Sequence, residues 1–578
     1  MNNVLRLVAA SALAGLCLAA PVIAEDLLPQ RTPSTTGAYL AGQQAMDELR
    51  TPDAARYFGE AIGDEWDNPL VLNRAFVAFA ANGEIDKATD TARHMLDLEP
   101  GSQLARLVIA TQAMKQRRYS AAIRDLDQLG ADSFEGITGA ILKAWALTGN
   151  GQVDEAFASL DKVADGGLEE FLIFHRAMMA DVAGRTDDAT ELIIQAHDAD
   201  PYTADIVEAY ARILGNAGRF DEALAAINEF EAQGLSHPII SAVKDKLVSK
   251  QRPGLFADSV QAGAAQMFHS VGVAFAREGT NDISLVLERL AQYLDPRNDT
   301  IPLVIGQLYD GAGQHVLANT LYDALPANSL LKATAVVRVA DNLDAMGDRP
   351  EAIRRLSNIA TTNPKDIDAI SVLGDLLRSD KQYQAAADAY TRALAVTGGN
   401  TPGDWRFYYV RGIAYERSNQ FPLAETDFLK ALELNPNQPQ VLNYLGYSWV
   451  DKGMNLTRAL DMIEKAVEAS PNDGYIIDSL GWAFFRLGRF DEAVEKLEQA
   501  AILRPTDPEI NDHLGDAYWR VGRKLEARFQ WNVASAMDKE GNVKARIAPK
   551  LAGGLDAAPV TEDSAPVEEP PGDQAAVD

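Results

Sequence analysis

The sequence predicts an all-α fold, an α-solenoid of stacked antiparallel helix pairs with about 11–14 repeats across most of its 578 residues. Three observations carry this expectation. Prolines, glycines and alanines recur as a comb with a period of 34 or 35 residues. Large apolar residues flank the small ones at helical rather than strand spacing. And 47% of the residues are hydrophobic, yet no single period holds enough apolar surface for a core of its own, so stacking has to supply the core.

The comb is clearest toward the C-terminus. Pro436, Pro471 and Pro505 stand in register. Each is followed by a glycine (Gly446, Gly481, Gly515), then by two alanines, of which Ala459, Ala493 and Ala527 come first. Upstream, Pro364 leads to Gly374 and Ala386, and the next unit has Gly412 and Ala424. Each unit reads as two helices, with the glycine of the first meeting the alanine of the second so that their axes approach closely. Gly488 marks the turn between two such helices. Asp507-Pro508 opens a helix with an acceptor cap and a proline at the first position.

Taken along the chain, residues 1–24 read as a secretory signal peptide. Arg6 precedes an apolar run from Leu7 to Ala20, and Ala24 ends the segment. The run is shorter than the ~20 residues that span a bilayer. Cys17 lies within it behind bulky Leu16, so it does not fit a lipidation site, and a lipoprotein is not expected. The mature chain then begins at Glu25, without cysteine and without an integral membrane span. Residues 25–34 form a linker and 35–236 an N-terminal array. Residues 237–264 break the phase, around Gln251 to Gly254, and are expected to be an irregular joint. Residues 265–541 form a C-terminal array. Residues 542–578 are expected to be a disordered, acidic, proline-rich tail.

The comb resembles the tetratricopeptide repeat (TPR) family. The best-matching stretches run from Asp478 through Gly481, Gly488 and Phe490 to Ala493, and from Asn511 to Gly515. The resemblance implies a TPR superhelix whose concave groove takes extended or helical peptides. The last 130 or so residues also resemble exported bacterial TPR proteins. Among these are outer-membrane adaptors that recruit carboxyl-terminal processing proteases and cell-wall hydrolases. That implies envelope proteases or cell-wall enzymes as partners; those adaptors are usually lipoproteins, a pattern from which Cys17 departs.

Composition narrows the function. With 53 basic against 83 acidic residues the formal charge is −30. Nucleic acid, whose phosphates need clustered Lys and Arg, is not an expected partner. A single cysteine excludes a disulfide framework. None of the motifs HExxH, GxSxG or GxxxxGK is present, and no two of the seven histidines stand four apart on one helix face. The expectation is therefore no enzyme, no metal and no cofactor.

Binding is favoured by one region. Residues 405–531 hold 5 of the 7 Trp, 7 of the 17 Tyr and 7 of the 19 Phe. Many of these belong to packing stripes, but a second helical stripe recurs three before, and one, four and five after, each repeat glycine. Its residues are Tyr409, Ile413, Glu416 and Arg417; Asn443, Tyr447, Val450 and Asp451; Asp478, Trp482, Phe485 and Arg486; and Asp512, Asp516, Trp519 and Arg520. In the resembled family this face lines the groove, and aromatic and Arg anchors suit an interface. The alternative is that Trp482 and Trp519 pack between adjacent units or against a capping helix. The leading expectation is a periplasmic scaffold or adaptor for protein or peptide partners. Glycan or small-molecule binding on the groove aromatics, and a purely structural envelope subunit, are the competing readings.

Overall fold

The computed structural model describes residues 34–555 apart from 64, 131–133, 162, 164–167, 540 and 542. The expected signal peptide and the acidic end beyond 555 lie outside the described residues. Among those described there are thirty α-helices and no strand, and no helix is long and apolar enough to cross a membrane.

The chain divides into two compact units, 1–348 and 349–578. The first holds α1 (Thr35–Asp47), α2 (Thr51–Ile62), α3 (Pro69–Ala81), α4 (Ile85–Leu98), α5 (Gln103–Lys115), α6 (Tyr119–Leu126), α7 (Phe134–Gly149), α8 (Val153–Asp161) and α9 (Glu169–Val182). It continues with α10 (Thr186–Ala199), α11 (Ala204–Asn216), α12 (Phe220–Ala232), α13 (Pro238–Val248), α14 (Val260–Arg277), α15 (Asn281–Leu294), α16 (Thr300–Gly311), α17 (His315–Ala324) and α18 (Lys332–Ala345). The second holds α19 (Arg349–Thr362), α20 (Ile367–Ser379), α21 (Tyr383–Thr397), α22 (Trp405–Arg417), α23 (Phe421–Leu434) and α24 (Pro439–Asp451). It ends with α25 (Leu456–Ala469), α26 (Gly474–Arg486), α27 (Phe490–Leu503), α28 (Pro508–Arg520), α29 (Lys524–Met537) and α30 (Lys544–Gly553).

Consecutive helices pack as hairpins. In the first unit α1 to α12 pair in order, as do α14 with α15 and α16 with α17; in the second, α20 to α29 pair in order. These thirteen hairpins match the repeat number the comb predicts. The local signals act as expected. Asp507 Oδ1 accepts from the Ile510 amide at 3.0 Å at the start of α28. Gly488 closes α26 at φ 76°, where the Arg489 amide reaches back to the Phe484 carbonyl.

The repeat glycines serve a further contact beyond the one expected. Gly446 lies against the Ala459 carbonyl, where an added Cβ would come within 2.9 Å, but the nearest neighbour of each glycine is the large residue one helical turn beyond the alanine. A Cβ on Gly374, Gly412, Gly446, Gly481 or Gly515 would stand 2.5–2.7 Å from Tyr390, Phe428, Ile463, Leu497 or Trp531, respectively. The alanines Ala386, Ala424, Ala459, Ala493 and Ala527 are fully buried beside them. Small residues thus bring the helices together, and one bulky residue per repeat fills the space left over the glycine.

The first unit also folds back on itself. Its late helices α14 and α15 pack against α7 and α9, and against α3 and α5, respectively. Late side chains donate to carbonyls at the C-terminal ends of early helices. Gln261 Nε2 donates to the Met114 carbonyl at 2.9 Å, Arg289 Nε to that of Ala81 at 3.3 Å, and Gln314 Nε2 to that of Glu48 at 3.0 Å. The Thr51 and Tyr309 hydroxyls share a buried hydrogen bond of 2.6 Å.

Three expected assignments therefore change. Segment 237–264 is not an irregular joint between arrays: it holds α13, which packs on α11 and α12, and the start of α14. Residues 265–348 belong with the N-terminal repeats, and the division falls between α18 and α19. Nor is 542–578 all tail, since 544–553 form α30, with Ile547 fully buried.

Candidate functional site

The expected groove stripe lies on α22, α24, α26 and α28, the first helices of four successive repeats. The structure separates its residues into three environments.

Tyr409, Asn443 and Tyr447 meet around a cavity of about 110 Å³, joined by Glu416, Asp451 and by Tyr444 and Tyr475, which the stripe does not contain. Tyr409 and Tyr444 stand edge to face, with ring centroids 6.1 Å apart, and Phe428 backs Tyr444 at 5.1 Å. The Tyr444 hydroxyl donates to Glu416 Oε2 at 3.3 Å. Burial pushes the Tyr409 phenol up to about 12. Burial, then the Glu416 carboxylate, raises Tyr444; burial, then Asp478 and Asp451, raises Tyr447. These phenols stay neutral donors and acceptors. Burial also raises Glu416 against the pull of Arg417. Asn443 Oδ1 is buried without a hydrogen-bond partner among the described residues.

The expected cationic anchors are engaged by neighbours. Arg417 pairs with Glu416 at 3.8 Å, and Arg486 donates to Asp451 Oδ1 at 2.9 Å and to its carbonyl at 3.1 Å. Arg520 is exposed, and Phe485 is partly buried.

Asp478, Trp482, Asp512, Asp516 and Trp519 are not in an open groove. The Asp478 carboxylate receives His513 Nδ1 at 3.0 Å, and Trp482 is sandwiched between Phe485 (4.8 Å) and His513 (4.1 Å). Trp482 is 8% exposed because α28 stacks directly over this part of α26. Asp512 is held by Arg546 at 2.8 Å and Lys550 at 2.7 Å, and Asp516 by Lys550 at 2.7 Å and the Trp531 indole at 2.9 Å. Burial, followed by the neighbouring Asp512 charge, pushes Asp516 up to about 6. A Cβ on Gly554 would lie 2.0 Å from the Trp519 ring. Asp512, Asp516 and Trp519 of the last repeat are thus covered by α30 and the residues that follow it. The packing alternative describes both tryptophans. A signal for this was present in the sequence: Arg546 and Lys550 follow Asp512 and Asp516 by 34 residues, with opposite charge.

Residues 339–404 and 405–438 match the family described as tetratricopeptide repeat, and residues 481–522 the one described as TPR repeat. The chain is similar to a TPR repeat-containing protein of Pseudomonas aeruginosa, 28% identical over 169 residues, which is 29% of this chain and 28% of the relative. It is also similar to cellulose synthase 2 operon protein C of Komagataeibacter xylinus, 26% identical over 424 residues, 72% of this chain and 31% of the relative. The chain spans less than a third of the length of the curated relatives it matches. Among solved structures, the APC/C hetero-tetramer Cut9–Hcn1 aligns over 90% of this chain and 96% of that chain, at 15% identity and a TM-score of 0.37.

Proposed function

We propose that this chain, a tetratricopeptide-repeat protein, is a non-catalytic scaffold that binds a protein or peptide partner on the first helices of its C-terminal repeats. The observation that carries the reading is the tyrosine-lined cavity between α22, α24 and α26. At about 110 Å³ it is far smaller than the roughly 300–1,000 Å³ of a metabolite or cofactor site. It suits one anchoring side chain of a larger partner. Aromatic walls supply apolar area at low entropy cost, while Glu416, Asp451 and the phenols supply hydrogen bonds that fix orientation.

The same reading places the scaffold in the periplasm, on the strength of the charged start, short apolar run and small-residue end of residues 1–24. Envelope proteases or cell-wall enzymes are the partners it favours. Similarity to a protein named for a cellulose synthase operon, across most of this chain, supports an envelope setting. Fractionation with N-terminal sequencing tests the placement: a mature end at Glu25 in the periplasmic fraction supports it, and an unprocessed cytoplasmic protein refutes it. Purification of the tagged chain from an envelope extract, followed by mass spectrometry, tests the function. Stoichiometric protein partners support the scaffold; affinity for cell-wall glycan without protein replaces it with the glycan reading.

A further inference from the structure

A cavity of about 860 Å³ lies in the first unit. It forms where two connections converge. One is 249–259, between α13 and α14, the longest connection between described helices; it contributes Leu255, Phe256 and Asp258 to the wall. The other is 325–331, between α17 and α18, which contributes Leu330. The phase break in the repeat comb is therefore the segment that builds this cleft. Leu255 and Leu330 remain 38% and 53% exposed, so the wall offers apolar area that the fold itself does not cover.

The polar side of the cleft is also specific. His269 lines it, although it is only 5% exposed. Its Nδ1 is held by the two oxygens of fully buried Glu288, at 3.1 and 2.9 Å. Its Nε2 has no hydrogen-bond partner among the described residues. Burial lowers the imidazole pKa, but the Glu288 charge and hydrogen bond, with the Asp205 charge added, give a net rise. Around it, five carboxylates (Asp205, Glu208, Asp258, Asp295 and Asp299) face two guanidinium groups. Arg212 is taken by Glu208 at 2.7 Å, and Arg297 by Asp258 at 2.9 Å. Asp205 accepts only from the Gln266 amide, at 2.8 Å, and Asp299 has no ion-pair partner among the described residues.

We propose that this cleft is a second binding site, separate from the tyrosine cavity, and that it takes a short basic, leucine-containing segment of a partner protein. The excess of carboxylates selects cationic side chains, and Leu255 and Leu330 receive apolar ones. The His269 ring offers one further hydrogen-bonding position at Nε2, which a peptide group, carrying both a donor and an acceptor, can meet in either tautomer. An acidic ligand would face Asp205 and Asp299 unpaired, a costly arrangement in a concave site.

Calorimetric titration of the full chain tests this. The probes are a capped nine-residue peptide alternating lysine and leucine, its glutamate–leucine counterpart, and spermine. The lysine–leucine peptide is expected to bind, to lose about tenfold or more in affinity to the Asp205→Asn/Asp299→Asn variant, and to lose binding to Leu330→Arg. The exposed position of Leu330 makes that variant safe for folding, and an unchanged melting temperature verifies it. The Tyr447→Ala variant is expected to bind the peptide like the wild type, which separates this site from the tyrosine cavity. Equal binding of the glutamate–leucine peptide, spermine binding as tight as the peptide, or wild-type affinity in both cleft variants would each overturn the proposal.

Discussion

Lys550 and Asp516 form an ion pair at 2.7 Å, 34 residues apart, and neither side chain is more than 7% exposed. The separation is one repeat period, so α30 occupies the place that the first helix of a further repeat would take. Arg546 stands in the same relation to Asp512. A solenoid needs its last apolar face covered, and here the cover is matched by charge as well as by shape.

Removing one partner of a buried pair is costly because the other remains buried and uncompensated. Lys550→Met is expected to destabilise the second unit by about 3–5 kcal/mol, measured by chemical denaturation. Lys550→Met with Asp516→Asn is expected to recover part of that loss. A neutral single variant would show that α30 is not held by this pair.

His513 links stability to pH. Burial alone would lower its pKa, but Asp478 outweighs burial and raises it, with Glu509 adding to the rise and Arg546 opposing it. A raised histidine contributes stability that is fully present below its unfolded value of about 6.5 and lost as pH rises through the folded value. The stability difference between wild type and His513→Gln should therefore shrink as pH climbs above about 6.5. A difference that grows with pH would contradict the pairing.

Gly263 on α14 fits against Trp145 of α7, where an added Cβ would come within 2.0 Å of the ring. Trp145 cannot yield easily, since it is fully buried and edge-on to His175. Gly263→Ala is expected to cost about 1–3 kcal/mol through overpacking, even though alanine favours helix by about 1 kcal/mol. Gly311→Ala, with nothing within 4 Å, serves as the control and should be neutral or stabilising. Thermal denaturation distinguishes the two.

Gly481 and Leu497 should be energetically coupled, because a Cβ on the glycine would meet Leu497 Cγ at 2.6 Å. Gly481→Ala and Leu497→Ala each destabilise, the first by crowding and the second by a cavity. Together they should cost less than their sum, by about 0.5–3 kcal/mol in a double-mutant cycle. Strict additivity would mean that the glycine serves another contact.

The features legible in the sequence are the local ones. Period, turn glycines and caps follow from short spacings, and Asp507 and Gly488 mark what they are read as marking. The return of α14 and α15 onto the early repeats was not legible, because Thr51 and Tyr309 are 258 residues apart and no periodic signal encodes their meeting. The stripe correctly groups Tyr409, Asn443 and Tyr447 on one face. Helical spacing states which residues share a face but not what covers it, which is why Asp512, Asp516 and Trp519 read as open while lying beneath α30.

The most direct test of the scaffold reading compares partner capture by three forms of the tagged chain: wild type, Tyr409→Ala/Tyr447→Ala, and Trp482→Ala/Trp519→Ala, each with its melting temperature. The tyrosine variant is expected to stay folded and lose the stoichiometric partner, and the tryptophan variant to melt earlier yet retain the partner while folded. Full capture by the folded tyrosine variant would contradict the account.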